Sequence, residues 1–389
     1  MKKIFIFNIF FALTTLLTAQ SNQIKFIKGN LNDKTQAVRQ SEGDESIWLI
    51  DKTLDFALEN VSLLRNDRDL EGLVVAAVLS ISSENVENYS FEQKTKLSNQ
   101  LISVFNNFEN SNTVIISVVN KLVSLRADLP TEYFSYQLNN FIKNVDINKV
   151  DSGVMRAVLN AASLIGNNET FYILFDFLGT KKYVSFENEI TAAVSELVPV
   201  SINETLDIIN NGTKEQLALI FDILTKNQKI PKNILCEIAE NVLNKSILLV
   251  EDSSKVDSTL IDIQLSSIDI LSSNKWTRAS TIGLNFFKLA KGFYKNNFLS
   301  ETQFCNVISS LSNIAPIDSI SALIAYLEEL NSQKENFEEV NSNVVLSVIN
   351  TLGAIGDKTA FDTLLAVTYI NYPENVLTAA RDALAGLRW

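Results

Sequence analysis

The residues that chemistry could use are few, and most of them are acids. Asp67 and Asp69, in the run Asn66-Asp67-Arg68-Asp69, and the neighbours Glu328 and Glu329 are the carboxylate pairs to weigh. Two carboxylates flanking a sugar linkage can cleave it, one as acid and the other as base or nucleophile, without a metal or an imidazole. Adjacent or alternate acids also occur in the first turn of a helix, where free amides and the helix dipole favour negative charge, or on a solvated face. Sugar clefts favour aromatic platforms as well, and the tryptophans here are Trp48, Trp276 and Trp389. The expectation is a capping or solvated role for both pairs. A carboxylate-dependent carbohydrate-active enzyme on an α/α-toroid is the rival reading.

Other chemistry is closed by composition. The 389 residues contain no histidine, so no Ser-His-Asp or Cys-His site and no His-ligated zinc or iron centre can be built. There is no phosphate-binding glycine loop, CxxC pair, DxDxDG calcium loop or nucleophile elbow. No catalytic, cofactor-binding or metal-ligating residue is therefore expected. Cys236 and Cys305 are the only cysteines and lie in separate helical stretches, which favours two buried free thiols over a disulfide. Phe286, Phe287, Phe293 and Phe298 cluster with Tyr294 beside Lys288, Lys291 and Lys295, the one locally basic region. Packing between helices is the expected role of these rings, and an exposed groove for a peptide or helix is the alternative.

The elements that carry these residues read as helices throughout. Prolines number five and glycines twelve, and apolar residues return at three- and four-residue spacing rather than alternating. Helices are expected over Asn30–Gln40, Ile47–Leu64, Glu71–Ile81, Phe91–Phe108, Val114–Leu125, Glu132–Lys143, Val154–Ile165 and Glu169–Leu178. They continue over Phe186–Leu197, Asn203–Asn210, Lys214–Lys226, Pro231–Leu243, Thr259–Leu271, Trp276–Tyr294, Ser300–Asn313 and Ile317–Leu330. Gln23–Gly29 reads as an extended arm, with Asn32 or Asp33 capping the first helix. Positions of similar character fall near Ala76, Val118, Asn160, Ala192, Ala218, Ser267, Ser310, Val348 and Ala380, at separations that run from 26 to 49 residues and are commonest near 40, about the length of a helix pair with its turns. The expected fold is an all-α solenoid of stacked helical hairpins over residues 20–389, with possible joints at the polar stretches 251–258 and 331–343.

The pattern VVLSVINTLGAIGDKTAFDTLLAV followed by NVLTAARDALAGL, within Val344–Leu387, resembles HEAT repeats of the short variety with an LGxIGD turn. The run VMRAVLNAASLIGNNET, Val154–Thr170, carries the same grammar, with Asn167-Asn168 where the Asp would stand. Gly356 permits the turn after Ile355, and Asp357 can accept from the first free amides of the helix Lys358–Val367. Ala379, Ala380 and Ala383 allow close helix approach, and Arg381 falls at a basic position that recurs in the family. The resemblance implies a helical superhelix related to armadillo arrays whose usual work is binding or scaffolding another protein. Family members that bind iron do so through His-Glu motifs, which this chain cannot form.

Residues 1–19 read as a signal peptide: Lys2 and Lys3, an apolar run from Ile4 to Leu17, then Leu17-Thr18-Ala19 before Gln20. The apolar run is shorter than the roughly 20 residues of a membrane-spanning helix. No cysteine lies near the cleavage site, so the exported chain is expected to be periplasmic or secreted and not lipidated. Cleavage removes two lysines and no acids, leaving 31 basic and 45 acidic side chains, a net −14. No basic stripe is present for nucleic acid, and a protein partner is the expected ligand.

Overall fold

The computed structural model describes residues 22–64, 66–251 and 256–388. The signal-peptide reading of residues 1–19, residues 252–255 of the polar stretch 251–258 and the closing Trp389 lie outside the described residues. Two compact units divide the chain between Ser201 and Ile202, a point distinct from both polar stretches.

In unit 1 the helices are α1 (22–28), α2 (Leu31–Gln40), α3 (Gly43–Asn60), α4 (Arg68–Ser80), α5 (Ser83–Glu87), α6 (Phe91–Asn107), α7 (Asn112–Ser124), α8 (Glu132–Asn144), α9 (Ser152–Ile165), α10 (Asn168–Thr180) and α11 (Glu187–Leu197). They pack in two layers. One layer runs α2, α4, α7, α9, α11 and the other α3, α6, α8, α10, with consecutive helices forming antiparallel hairpins across the layers. Unit 2 repeats the scheme with α12 (Ile202–Asn211), α13 (Lys214–Lys226), α14 (Lys232–Glu251), α15 (Ser258–Ser273), α16 (Ser280–Lys295), α17 (Glu301–Ile314), α18 (Ile320–Glu335), α19 (Ser342–Ile355), α20 (Phe361–Val367) and α21 (Glu374–Ala385). Here α13, α15, α17, α19 and α21 make one layer, and α12, α14, α16, α18 and α20 the other. Each unit is thus an all-α solenoid of stacked helical hairpins. No strand forms among the described residues, and one bridge joins Asp357 to Arg388.

Apolar periodicity builds this architecture. In α17, Phe304, Val307, Ile308 and Leu311 are fully buried, which is the i, i+3, i+4, i+7 stripe of a helix facing a core. In α19, Val344, Val345, Val348, Ile349 and Leu352 do the same. Each such side chain taken from water contributes about 1.5–3 kcal/mol before the entropy of ordering is counted.

The two turns that resemble HEAT repeats are built differently. After α19, Gly356 takes φ 74°, a left-handed conformation in which its missing Cβ avoids strain. Asp357 then accepts from the Thr359 amide at 2.8 Å and caps a short 3-10 turn, Lys358–Ala360, rather than the α-helix itself, which begins at Phe361. Those cap bonds hold the Asp357 carboxyl below the usual carboxylate range. After α9, Gly166 is not left-handed, and Asn167 does the work: its side-chain oxygen accepts from the Thr170 amide at 3.0 Å while Thr170 Oγ1 accepts from the Asn167 amide at 2.9 Å. Asn167 Nδ2 also donates to Ser135 Oγ at 3.2 Å, Asn139 Nδ2 donates to Asn167 Oδ1 at 3.2 Å, and Thr170 Oγ1 donates to Asn139 Oδ1 at 2.7 Å. A buried polar clasp therefore ties α8 to the start of α10.

Several expectations need correction. Residues 22–28 form α1 rather than an extended arm, because Phe26 is buried edge-on against Trp48, with ring centroids 6.3 Å apart. The cap of α2 is Asn30, in a reciprocal box with Asp33. Helix α14 runs on to Glu251, since Ile247 and Val250 continue its buried stripe past Leu243. Helix α18 runs to Glu335, so the polar stretch 331–343 begins inside a helix. Within it Asn331 is buried, and its Oδ1 accepts from Tyr372 Oη at 3.2 Å. Burial pushes that phenol up to about 12.

Candidate functional site

The carboxylate pairs do not converge on a site. Asp67 is the N-cap of α4, accepting from the amides of Asp69 at 2.8 Å and Leu70 at 3.0 Å. Glu328 accepts from Thr363 Oγ1 on α20 at 3.1 Å, while Glu329 pairs with Lys291 on α16 at 2.8 Å. Among the described residues no group of three or more His, Cys, Asp or Glu is placed to hold a metal ion.

The phenylalanine cluster is mostly core. Phe286, Phe287 and Phe293 are buried, and Tyr294 stacks on Phe304 with centroids 4.7 Å apart. Phe287 and Phe304 in turn meet Tyr326 edge-on at 5.9 and 6.0 Å. The Tyr326 phenol is raised by burial and by nearby Glu329, and Lys291 sits 4.2 Å from the ring centroid. Phe298 is the exception and is half exposed. The cysteines are both free: Cys236 is buried in α14, and Cys305 is only half buried on α17. Burial raises both thiols, and Glu301 adds to the effect at Cys305.

What the fold does assemble is a polar face on the α17–α19–α21 layer of unit 2. Thr302, Asn306 and Ser309 leave α17 at spacings of four and three, and Asn343, Ser347 and Asn350 repeat that spacing on α19. Positions so spaced lie one above another on a single helical side. A groove of about 460 Å³ runs between the two sets, and a second of about 590 Å³ continues from Asn350 and Gly353 to Glu374, Asn375, Thr378 and Asp382 on α21. Helices α19 and α21 approach closely because Gly353 carries no side chain: a Cβ there would lie 2.9 Å from the Ala383 Cβ.

The electrostatics of this face are nearly neutral at its centre. Glu301 is clasped by Asn341 and Asn343, whose Nδ2 groups donate at 2.5 and 2.6 Å, and those bonds hold its carboxyl below the usual range. Ser347 Oγ donates to the Cys305 carbonyl at 3.0 Å and knits α19 to α17. The side-chain carboxamides of Asn306, Asn350 and Asn375 make no hydrogen bond among the described residues. Acids border the neutral centre: Asp262 and Asp269 on α15 hold the register of Asn343 and Asn350, and Asp382 lies on α21.

The corresponding layer of unit 1 carries exposed Asn120 and Asn160 at the same 40-residue interval. Its neighbours α9 and α11, however, are bridged across the surface by Arg156 and Glu189 at 2.9 Å. The exposed amide face was absent from the sequence expectations. Its signal was present as the repeated four-three spacing of Thr, Asn and Ser, visible only once the buried stripe of each helix is aligned with the next.

No family model matches the chain, and no curated protein sequence matches it. Among solved structures, the crystal complex of SYS-1/POP-1 is similar at 12% identity with a TM-score of 0.34, covering 95% of this chain and 67% of that one. Among the described residues, no helix is long and apolar enough to cross a membrane.

Proposed function

We propose that this chain is a non-catalytic HEAT-type scaffold, exported to the periplasm or cell envelope, that binds an extended segment of a partner protein along the α17–α19–α21 face of unit 2. The observation that carries the reading is the set of unbonded amides of Asn306, Asn350 and Asn375 on three successive helices. A carboxamide both donates and accepts, which is what an extended main chain needs from a surface that is not a strand. Helices in one layer lie about 8–10 Å apart and an extended chain advances about 3.3 Å per residue, so one amide can meet roughly every third residue. The bordering Asp262, Asp269 and Asp382 favour basic residues at the ends of the bound segment. The HEAT assignment rests on the Gly356-Asp357 turn and the small residues of α21, and export rests on the character of residues 1–19.

The test is affinity capture from envelope extract with the mature chain and with an Asn306→Glu, Asn350→Glu variant. A stoichiometric protein retained by the first and lost by the second supports this face as the binding surface. Equal retention by both overturns it. Release of new reducing ends from a polysaccharide, abolished by neutralising an acid, would instead make the chain an enzyme.

A further inference from the structure

We propose a second surface: the hairpin-turn edge of unit 2 is a platform for a linear, uncharged β-linked glycan, with Phe298, Phe337 and Tyr369 as its stacking rings. These residues follow α16, α18 and α20, and they expose 50%, 98% and 83% of their surface. Each lies in the turn that joins the two helices of one hairpin. The hairpins α16/α17, α18/α19 and α20/α21 stack in order, so their turns succeed one another along one edge. Among the described residues unit 1 has no such row. Its nearest counterparts, Phe108 after α6 and Tyr183 after α10, are buried.

The backbone presents the most exposed ring at some cost. Both Phe-bearing turns close in the same way: the Phe298 amide donates to the Phe293 carbonyl at 2.8 Å, and the Glu338 amide donates to the Gln333 carbonyl at 3.0 Å. In the first turn the left-handed position is held by Asn297, φ 60°, a residue type that tolerates it. In the second it is held by Phe337, φ 63°, although Asn336 stands one place earlier. A bulky residue in that region is strained. The one-residue shift turns the ring outward where an Asn would have closed the helix without strain.

The surroundings select the ligand. An amide accompanies every ring: Asn297 precedes Phe298, Asn336 precedes Phe337, and Asn371 follows Tyr369 by two residues, none with a side-chain hydrogen bond among the described residues. A hydrophobic protein patch pressed on this edge would strand those amides. Lys295 precedes Phe298, but Lys291 is paired with Glu329, and Glu335, Glu338 and Glu339 around Phe337 outnumber Lys295 and Lys334 together, which disfavours an anionic lipid surface. A pyranose ring satisfies both demands. Its C–H face stacks on an aromatic ring, while its equatorial hydroxyl or acetamido groups reach a neighbouring carboxamide. A β-linked chain offers such faces at a regular interval, as the stacked turns offer rings.

The experiment is calorimetric titration of the mature chain with chitohexaose and, separately, cellohexaose, repeated with Phe337→Ala, Tyr369→Ala and Phe337→Asn. Saturable binding of at least one oligosaccharide is expected, weakened about tenfold by each alanine variant and by Phe337→Asn. The thermal midpoint should hold in Tyr369→Ala and rise in Phe337→Asn, because the left-handed position is then relieved. Failure of both oligosaccharides to bind overturns the proposal, as does undiminished binding by the alanine variants. Stronger retention on vesicles containing phosphatidylglycerol than on either glycan also overturns it, in favour of a membrane surface.

Discussion

The two faces of unit 2 use their polar side chains in opposite ways. On the α14–α16–α18–α20 side the groups bond from one hairpin to the next: Trp276 Nε1 and Arg278 Nε donate to Glu240 at 2.8 and 2.7 Å, Lys291 pairs with Glu329, and Thr363 bonds Glu328. On the α17–α19–α21 side Glu301 and Ser347 bond across helices, and the central side-chain carboxamides have no partner among the described residues. A polar side chain tied to the neighbouring repeat sets the geometry of the stack. One left untied beside a groove can be satisfied only from outside, by water or a ligand. The contrast separates the side that holds the array from the side that is available to recognise something.

The largest effect should come from breaking the geometry on which the open face depends. Gly353→Val places a side chain into the Ala383 contact, and overpacking of this kind costs about 1–3 kcal/mol. Urea unfolding should show that loss, and captured partner should fall with it. Next comes the bonded face. Glu240→Ala strands the part-buried Trp276 indole N–H, while the exposed Arg278 guanidinium keeps Glu237, for a loss of about 1–3 kcal/mol, whereas Glu240→Gln keeps an acceptor and should lose less. If both variants unfold as the wild type does, the bonded face does not hold the stack.

Sharper still is the expected lack of effect at Asn306 and Asn350. Alanine at either should move stability by no more than about 0.5 kcal/mol while weakening partner capture. Acid should act on the Glu301 clasp in a defined direction. The native carboxyl is depressed below its unfolded value, so its contribution is present above the ordinary glutamate range and fades as pH falls through the native pKa. Glu301→Gln should therefore flatten the acid limb of the unfolding midpoint over the carboxylate range, roughly pH 5 to 3. Between about pH 6 and 8 the midpoint should stay level, because no histidine titrates there.

Much of the fold was legible because helices announce themselves by period. The stripe Val344, Val345, Val348, Ile349, Leu352 points to one buried face whatever packs on it, and Gly356-Asp357 marks a turn whatever follows. Boundaries were less legible. Residues 23–29 read as an extended arm, whereas Phe26, buried against Trp48, docks them as a helix. Asn331 and Lys334 read as linker, although Asn331 is buried against Tyr372 from a later helix. The candidate faces were least legible. Asn306 and Asn350 are ordinary surface residues until stacking sets them side by side, and Phe337 is one apolar letter in an acidic run until its backbone shows where the ring points.

The hairpin stacking has a kinetic consequence as well. Contacts that knit the units span one repeat: Lys121 to the Ile81 carbonyl is 40 residues, Tyr183 to the Ile142 carbonyl 41, and Tyr372 to the Leu330 carbonyl 42. Loop closure therefore involves about the same length of chain at every step, however many hairpins follow. Folding of each unit should be governed by the first pair of hairpins to meet and then proceed by addition, so that lengthening the array by a repeat would slow it little.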